Sequence, residues 1–415
     1  MKTLFNDGWQ FAELPLDKDS MYKDGKIVLF NPDQFFDKAD CQEYKDVRVP
    51  HDWQIHHVKE LYKNSVGFYK KTFDLDASQI EGRYNAIRFE GVYMNSAVWV
   101  NGKKAGEWKH GYSTFEFDIS SLVQAGKNEM LVIAVYQDCN TRWYSGAGIF
   151  RDVTFINSPS VHLPTDGVYF TARPEDASKL NGRWKVDISV EVAGDVKGHK
   201  IENVISSSDG KILAKSISQV TPLPLSDDES DWLSQNVPSL SGCRLYRGHE
   251  SITVENPQLW DIDSPCFYIL TTKLYDSDGN IIDQINQHCG FKYAVFTNDR
   301  GFVLNGRHQK IYGACHHHDQ GALGSAFELD ALRRQFTRLK EMGVNSIRCS
   351  HNPPPVAWMD LCDEMGLMVD DEAFDMWEKP KTPFDYGNFF NDWCERDATS
   401  WVRRDRNHPS LIMWS

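Results

Sequence analysis

The chain has 415 residues, of which 41% are hydrophobic and 25% charged, and its formal net charge is −14. This composition excludes a disordered or collagen-like chain, and the negative charge argues against a nucleic-acid partner, whose phosphates need a basic surface. No apolar run approaches the roughly 20 residues that span a bilayer, so we expect no membrane contact. The first nine residues lack the apolar core of a signal peptide, and we therefore expect a cytoplasmic protein.

The nine cysteines are scattered singly, and no C-x-x-C pair occurs. An odd number of isolated cysteines favours reduced, mostly buried thiols over a disulfide framework or a zinc site. We therefore expect no structural metal and no cofactor.

Residues 1–155 show many short alternating segments separated by turns. We predict strands at 69–73, 86–89, 95–101 and 130–136, and Asn101-Gly102 is a strong hairpin-turn signal. This pattern is typical of a β-sandwich or jelly roll.

Residues 156–296 carry a second set of strands, of which 184–192 and 267–275 alternate most clearly. A segment of this length with alternating strands predicts an immunoglobulin-like β-sandwich. The stretch 222–241 is rich in Ser, Asp and Pro, and we expect a long, mobile surface loop there.

From residue 297 the period changes to alternating strands and helices. The pattern predicts strands at 310–313, 344–348, 367–371 and 411–414, and helices at 329–342, 355–365 and 389–404. Such alternation is typical of a parallel α/β architecture. Polar residues follow the first three strands, as they do at the carboxyl ends of barrel strands, so residues 297–415 are interpreted as the first half of a TIM (β/α)8 barrel.

The polar segments that follow these strands leave several interpretations open. His316 and His318 could bind a metal as an H-x-H pair, could hydrogen-bond a polar ligand, or could belong to a surface histidine run. Arg348 and the residues up to Pro353 suit a rigid shelf for a ligand with several hydroxyls, or a buried Arg that pairs with an acid. Asp371 and Glu372 are neighbours on a strand and point to opposite faces, so at most one of them faces a pocket.

Several motifs in chain order resemble the N-terminal portion of glycoside hydrolase family 2, the clan of β-galactosidases, β-glucuronidases and β-mannosidases. The resemblance covers essentially the whole chain and implies a sugar-binding jelly roll, an immunoglobulin-like sandwich and a catalytic barrel. The motifs are Val49-Pro50-His51-Asp52-Trp53, Glu90-Gly91-Val92, Val100-Asn101-Gly102, Gly148-Ile149-Phe150-Arg151-Asp152, Glu255-Asn256-Pro257-Gln258-Leu259-Trp260, Gly301-Phe302-Val303-Leu304-Asn305-Gly306, His317-His318-Asp319, Arg348-Cys349-Ser350-His351-Asn352-Pro353 and Arg404–Ser415.

The resemblance implies a retaining mechanism with two catalytic glutamates. In the family the acid/base Glu closes a Trp-Ser-x-Gly-Asn-Glu run, whereas this sequence ends at Trp414-Ser415. We therefore expect both catalytic glutamates to lie beyond Ser415 and expect the chain as given to be inactive.

The residues that the resemblance assigns are accordingly substrate-binding ones. It places Asn101 and Arg142 on loops that reach from the first domain into the active site, and matches His317, Arg348 and His351 to barrel positions that bind the sugar or brace the catalytic carboxylates. Asp371 matches an acid on the pocket floor. Some relatives bind magnesium just after this acid, but Met376 is a poor ligand for a hard cation, so we infer no such site. Trp377 is interpreted as a sugar-stacking face or as core.

Three functions from different classes follow from these observations. The first is an exo-acting β-glycosidase, most simply a β-galactosidase that acts on a β-galactoside or oligosaccharide; β-glucuronidase and β-mannosidase are alternatives in the same family. The second is a non-catalytic carbohydrate-binding fragment, and the third is a metal-dependent barrel hydrolase that uses His316 and His318. By resemblance a homo-oligomer is also expected.

Overall fold

The computed structural model describes residues 2–415 and begins with a sandwich of two antiparallel sheets. The first sheet contains, in spatial order, Lys2–Leu4, Val153–Pro159, Arg83–Phe89 and Phe115–Asp118. The second contains Lys45–Val47, Trp9–Pro15, Ser65–Leu75, Gly126–Tyr136, Ser96–Val100 and Lys103–Trp108. A small hairpin, Tyr22–Lys23 with Lys26–Ile27, lies outside both sheets. Short 3-10 turns are found at Lys18–Met21, Pro32–Cys41, Gln54–His56, Ala77–Gln79, Pro238–Leu240, Gly321–Leu323 and Tyr386–Asn388.

Aromatic side chains fill the space between these two sheets. Trp9, Trp53 and Tyr69 are completely buried, and Phe150 is almost so. Each such ring removes roughly 150–250 Å² from water, which makes this core the main source of the domain's stability. Aromatic residues make up 13% of the sequence, and many of them therefore have a structural role.

The second sandwich also consists of two antiparallel sheets. One contains Val168–Pro174, Arg183–Ala193, Leu245–Glu255 and Thr221–Pro222; the other contains Ile212–Gln219, Lys200–Ser207, Tyr268–Tyr275 and Ile281–Cys289. Alternate residues of Arg183–Ala193 are buried, as the period-2 pattern predicts. Trp184 and Phe291 pack edge to face in the core between the sheets.

The stretch 222–241 contains a helix, which contradicts the predicted long loop. Helix α1 spans Asp227–Asn236 and starts with a capping box, in which Ser226 and Glu229 satisfy each other's backbone N–H groups. Leu233 packs beside the buried Leu240 and Leu245. The high Ser and Asp content reflects the helix start, where acidic residues favour the positive end of the helix dipole.

The last part of the chain forms half of a parallel barrel. A three-stranded antiparallel sheet, Ala294–Thr297, Gly301–Leu304 and Arg307–His308, precedes it. The parallel strands are β1 (Gly313–His316), β2 (Ser346–Cys349), β3 (Met368–Asp371) and β4 (Leu411–Trp414), and they pair in that order. The helices are α2 (Leu329–Glu341), α3 (Val356–Met365) and α4 (Phe390–Asp405). The predicted fold class of jelly roll, immunoglobulin-like sandwich and partial barrel is thus confirmed.

The largest difference between a predicted and an observed boundary in the barrel is at strand β1. Strand β1 begins three residues later than expected, because pairing with β2 starts only at Gly313 opposite Ser346. Helix α2 ends close to the predicted stop signal, Gly343, whose φ of +88° favours glycine. The shift matters for function because it puts His316 inside the strand and His317 just beyond it.

The first sandwich is docked on the barrel through buried polar contacts. The Arg151 guanidinium is buried and donates hydrogen bonds to the carbonyl oxygens of Tyr112 and Pro353, each at 2.8 Å. The Trp108 indole N–H donates to Asp397 Oδ1 on α4 at 2.7 Å. These contacts fix the loop after β2 and helix α4 against the first domain.

None of the helices in residues 2–415 is long and apolar enough to cross a bilayer.

The buried carboxyl group of Asp397 gives a testable pH dependence. Burial raises the pKa of Asp397 to about 6, although hydrogen bonds from Ser113, Tyr386 and Trp108 oppose the shift. The folded state therefore binds more protons than the unfolded state between about pH 4 and 6, so the stability that this proton provides is present below about pH 4 and lost as the pH rises through about 6.

Asp397→Asn keeps an acceptor for Trp108 but cannot ionise. The difference in unfolding free energy between this variant and the original protein should shift in favour of the variant by about 1–3 kcal/mol when the pH rises from 4 to 7. Denaturant titrations at both pH values measure this change, and Asp392→Asn, an exposed position at the start of the same helix, is the control. An equal offset at both pH values would contradict the raised pKa.

The capping box of α1 provides a second test. Ser226→Ala removes the acceptor for the Glu229 backbone N–H, and we expect a local loss of about 1 kcal/mol. Hydrogen exchange should accelerate in Asp227–Asn236 while the core strands keep their protection. Ser230→Ala, within the helix, is the control; equal exchange in both variants would argue against the cap.

Candidate functional site

The carboxyl ends of β1, β2 and β3 meet the first domain at a group of polar side chains. We call this group the polar face: the barrel contributes His317, Arg348, His351, Glu372, Asp375 and Lys381, and the first domain contributes Arg142 and Trp143. Each barrel member except Lys381 lies at a strand end or within four residues after it, as the α/β rule predicts, and Lys381 lies in the loop that follows β3. The face therefore combines residues of two domains.

An ion pair between neighbouring strands lies at the centre of the polar face. The Arg348 guanidinium, on β2, is 2.8 Å from Glu372 Oε2 just after β3. Burial raises the pKa of Glu372, and the Arg348 charge opposes this rise. Arg348 also donates to His351 Nδ1 at 3.2 Å and to the Cys315 sulfur at 3.4 Å. Arg348 therefore organises side chains from three successive strands.

Two histidines and a tryptophan form the part of the face nearest the first domain. The rings of His317 and His351 are perpendicular, with centroids 5.4 Å apart, and Trp143 lies 5.8 and 5.3 Å from them. Burial lowers the pKa of both histidines, and nearby positive charge contributes. Both imidazoles are therefore neutral near pH 7, so each offers one donor and one acceptor.

A second ion pair crosses the domain boundary. Arg142 Nη2 lies 2.6 Å from Asp375 Oδ1, and Lys381 Nζ lies 3.0 Å from the same oxygen. Burial alone would raise the pKa of Asp375, but the hydrogen bonds from Arg142 and Lys381 outweigh it and lower the pKa. The Arg142 side chain is 51% exposed, so part of its fork faces solvent at the rim. Arg142 thus forms an interdomain ion pair and lies at the edge of the polar face.

His316 and His318 do not form a metal-binding pair. His316 faces the helices, where Gln335 and Trp358 contact its two nitrogens. His318 Nε2 lies 3.0 Å from the Ser145 carbonyl oxygen, and burial lowers the pKa of His318 to about 3. The two rings are held by different neighbours, so the structure does not support the metal-dependent hydrolase hypothesis.

The structure places Asp371 on the side of the sheet that faces the helices, which differs from the expected pocket floor. Its carboxyl is completely buried and accepts from the Cys349 thiol at 3.2 Å. Burial and the neighbouring Asp405 charge raise the pKa of Asp371 well above its ordinary value. Asp371 and Glu372 point to opposite sides of the sheet, as strand alternation predicts, and Glu372 is the acid that reaches the polar face.

The structure also places Asn101 away from this face, which corrects its expected loop position. Asn101 has a φ of +50° in the hairpin turn, and its amide bonds Leu122, Asn128 and the Glu129 N–H of its own domain. The hairpin contacts the barrel at its other end, through Trp108. Ser96 pairs with Trp108, and the strand from Ser96 to the turn is about 13 Å long, so the turn lies at least that far from this contact. The turn geometry explains the asparagine.

Trp377 lies beyond β3 and is 58% exposed. Its ring packs against Phe374 at 6.2 Å and Phe390 at 5.4 Å, which leaves one side open to solvent.

Sequence reasoning did not assign Trp143, Asp375 and Lys381 to the face, and of the acidic pair Asp371-Glu372 it selected Asp371. Trp143 adjoins Arg142, and Asp375 lies two residues before Trp377. Their closeness in sequence to these two predicted substrate-binding residues is the signal that could have identified them. Lys381 carries no such signal, because a loop returns it to Asp375 only in the folded chain.

Three family models match consecutive parts of the chain. The sugar binding domain of glycosyl hydrolases family 2 matches residues 5–159, a second model described as glycosyl hydrolases family 2 matches 168–292, and the TIM barrel domain of that family matches 295–415.

Relatives of known name and structure give the same picture. A β-galactosidase of Bacteroides ovatus is 36% identical over 90% of this chain and 43% of its own length, and a protein of Formosa agariphila named as a candidate β-glucuronidase is 32% identical over 100% and 37%. The crystal structure of a β-glycosidase from Bacteroides vulgatus is 31% identical with a TM-score of 0.81, and the match covers 100% of this chain and 50% of that one. The chain thus spans about two-fifths of the length of these curated relatives.

The central ion pair of the polar face can be tested by stability. Arg348→Ala leaves the mostly buried Glu372 carboxylate without its cation, and we expect a loss of about 1–3 kcal/mol in unfolding free energy. Adding Glu372→Gln to that variant should recover part of the loss, because the unpaired charge is gone. Denaturant unfolding measures both. If the loss of unfolding free energy in the double variant equals the sum of the losses in the Arg348→Ala and Glu372→Gln single variants, the two residues are not coupled.

Proposed function

Because this chain belongs to glycoside hydrolase family 2, we propose that it supplies the substrate-recognition part of an exo-acting retaining β-glycosidase. The observation that carries this proposal is the meeting of Arg142 and Trp143 with the strand ends of the barrel. Neutral imidazoles, cationic forks and carboxylate oxygens provide alternating donors and acceptors within one small area. Such a set suits a ring with several hydroxyl groups.

The charges of the polar face favour a neutral sugar such as a galactoside over a uronic acid. Arg348 pairs with Glu372, and Arg142 and Lys381 both pair with Asp375. His317 and His351 are neutral, since their pKa values are lowered. Within the polar face as defined, each cation therefore already has a carboxylate partner, and a substrate carboxylate would have to displace one. The candidate β-glucuronidase among the relatives makes glucuronides the natural comparison.

The proposed mechanism is double displacement. One glutamic acid protonates the glycosidic oxygen while a second glutamate attacks the anomeric carbon; water then releases the sugar from the glycosyl-enzyme. We assign both catalytic glutamates to sequence outside these 415 residues. Glu372 and Asp375 are not assigned to these steps, because both carboxyl groups are already paired, Glu372 with Arg348 and Asp375 with Arg142 and Lys381.

In this mechanism the residues of the chain bind and orient. Arg142 and the two histidines contact sugar hydroxyls, and Arg348 holds Glu372 and His351 in place. Trp143, and Trp377 at the rim, offer apolar surfaces for the sugar ring. The substrate is thereby fixed before the chemical step, which lowers the entropic part of the barrier.

We further propose a cytoplasmic location. It is supported by the nine cysteines, which are all unpaired, as expected in a reducing compartment.

Arg142→Ala in the complete enzyme tests the sugar-contact role. The loss of a charged hydrogen bond to substrate is worth about 1.5–3 kcal/mol, so we expect kcat/KM for a nitrophenyl β-galactoside to fall roughly tenfold to a hundredfold. The melting temperature should change little, since half-exposed ion pairs contribute about 0–1 kcal/mol. Arg48→Ala, which removes an exposed pair with Asp7 in the same domain, is the matched control.

A lowered melting temperature with kcat/KM within about twofold would reduce Arg142 to an interdomain contact. The substrate class is tested in the same assay with the nitrophenyl β-glucuronide. We expect the galactoside to be the better substrate by at least about tenfold, and a preference for the glucuronide would contradict the charge argument.

A further inference from the structure

Four metal-ligand side chains from separate parts of the chain converge at the junction of the second domain and the barrel. His288 lies at the end of the strand Ile281–Cys289, and Asp360 and Asp363 share one side of helix α3. His408 lies in the loop between α4 and β4. One ligand atom from each residue falls within 4.8 Å of all the others. We call these four residues the junction cluster.

Two of the distances in the junction cluster match the edges of a tetrahedral site. His288 Nδ1 lies 3.4 Å from Asp360 Oδ1 and 3.3 Å from Asp363 Oδ2. With zinc–ligand bonds of about 2.0–2.1 Å, two ligands of a tetrahedral zinc are separated by about 3.3 Å. His408 Nδ1 lies closer to Asp363 Oδ2, at 2.6 Å, which is a hydrogen-bond distance that must lengthen when a metal replaces the shared proton.

Neighbouring residues hold the ligand side chains in place, and Asp360 is the most solvent-exposed of the four. The side chain of Asp363 is 0% exposed, and its other oxygen accepts from the Ser410 backbone N–H at 2.9 Å. The Phe267 ring packs against the His288 ring with centroids 4.2 Å apart. Asp360 is 41% exposed on its side chain and opens the cluster to solvent. At zinc sites, contacts of this kind from residues that do not touch the metal orient the side chains that bind it.

We propose that the junction cluster binds one divalent zinc-type cation through two imidazoles and two carboxylates. Two aspartates balance the charge of a divalent ion, and two nitrogen donors favour zinc over calcium or magnesium, which prefer all-oxygen ligands. The cluster lies at the end of α3 and just before β4, on the amino-end side of the parallel sheet. This side of a barrel serves stability rather than chemistry, so the ion ties the second domain to the barrel.

This site is independent of the proposed glycosidase activity and differs from the magnesium position considered near Met376. No spacing motif in the sequence indicates this site, because its residues are separated by 72, 3 and 45 positions. A hydrogen-bonded ion cluster without metal is the competing account, and metal titration distinguishes the two.

The experiment uses the complete protein after chelation, titrated with zinc chloride alone and, separately, with cobalt chloride. We expect one zinc per chain by calorimetry, a saturable rise in melting temperature, and for cobalt the strong visible absorption of tetrahedral coordination. Calcium chloride at the same concentrations should leave the melting temperature unchanged.

Two variants assign the binding to the cluster. His288→Ala and Asp360→Asn alter its more exposed ligands and leave the His408–Asp363 contact intact, and each should weaken zinc binding at least about tenfold. His249→Ala, an exposed histidine in the same domain, should bind like the original protein.

Should a variant fold poorly, cobalt absorption of the unaltered protein still decides the question. An absorption typical of octahedral cobalt, or no zinc binding at all, would overturn the proposal in favour of the ion cluster. Zinc binding that both variants retain would likewise overturn it, since the ion would then lie elsewhere.

Discussion

The structure depends on one buried interaction, the contact of the Arg151 guanidinium with the first domain and the barrel at once. Its hydrogen bonds to the Tyr112 and Pro353 carbonyls join the two, and the Phe150 ring lies 4.9 Å from its central carbon. Burial lowers the pKa of Arg151 to about 9, which shows how strongly the cation is removed from water. A buried cation that loses its acceptors is costly, so the domains stay in one arrangement. That arrangement brings Arg142 and Trp143 to the strand ends.

Local patterns in the sequence were enough for much of this architecture. Alternation predicted the sandwich strands, and the change of period at residue 297 predicted the half barrel, because both depend on nearest neighbours along the chain. The grouping of polar residues at strand ends was predictable for the same reason, since parallel strands end at one edge of a sheet, whereas Arg348, His317 and His351 were assigned individually by the family resemblance. Arg142 came from the family resemblance, and the structure brings it beside Asp375.

Features that depend on tertiary contacts could not be predicted from the sequence. Alternation showed that Asp371 and Glu372 diverge but not which one faces the helices, since that depends on how the sheet packs. Asn101 belongs to a motif of the family, yet its side chain serves its own turn. Helix α1 was predicted as a loop because its first turn is rich in Ser and Asp. These same residue types cap and stabilise the start of the helix. The junction cluster joins residues that no local spacing could connect.

We propose that the first domain completes the sugar-binding face of the barrel through Arg142 and Asp375. The most direct measurement is a double-mutant cycle of Arg142→Ala and Asp375→Asn on kcat/KM for a β-galactoside, in the complete enzyme. The account predicts that the two changes are not additive, with a coupling of at least about 1 kcal/mol, because they disrupt one contact. Additive effects, within about 0.3 kcal/mol, would contradict it and would mean that the two residues act separately.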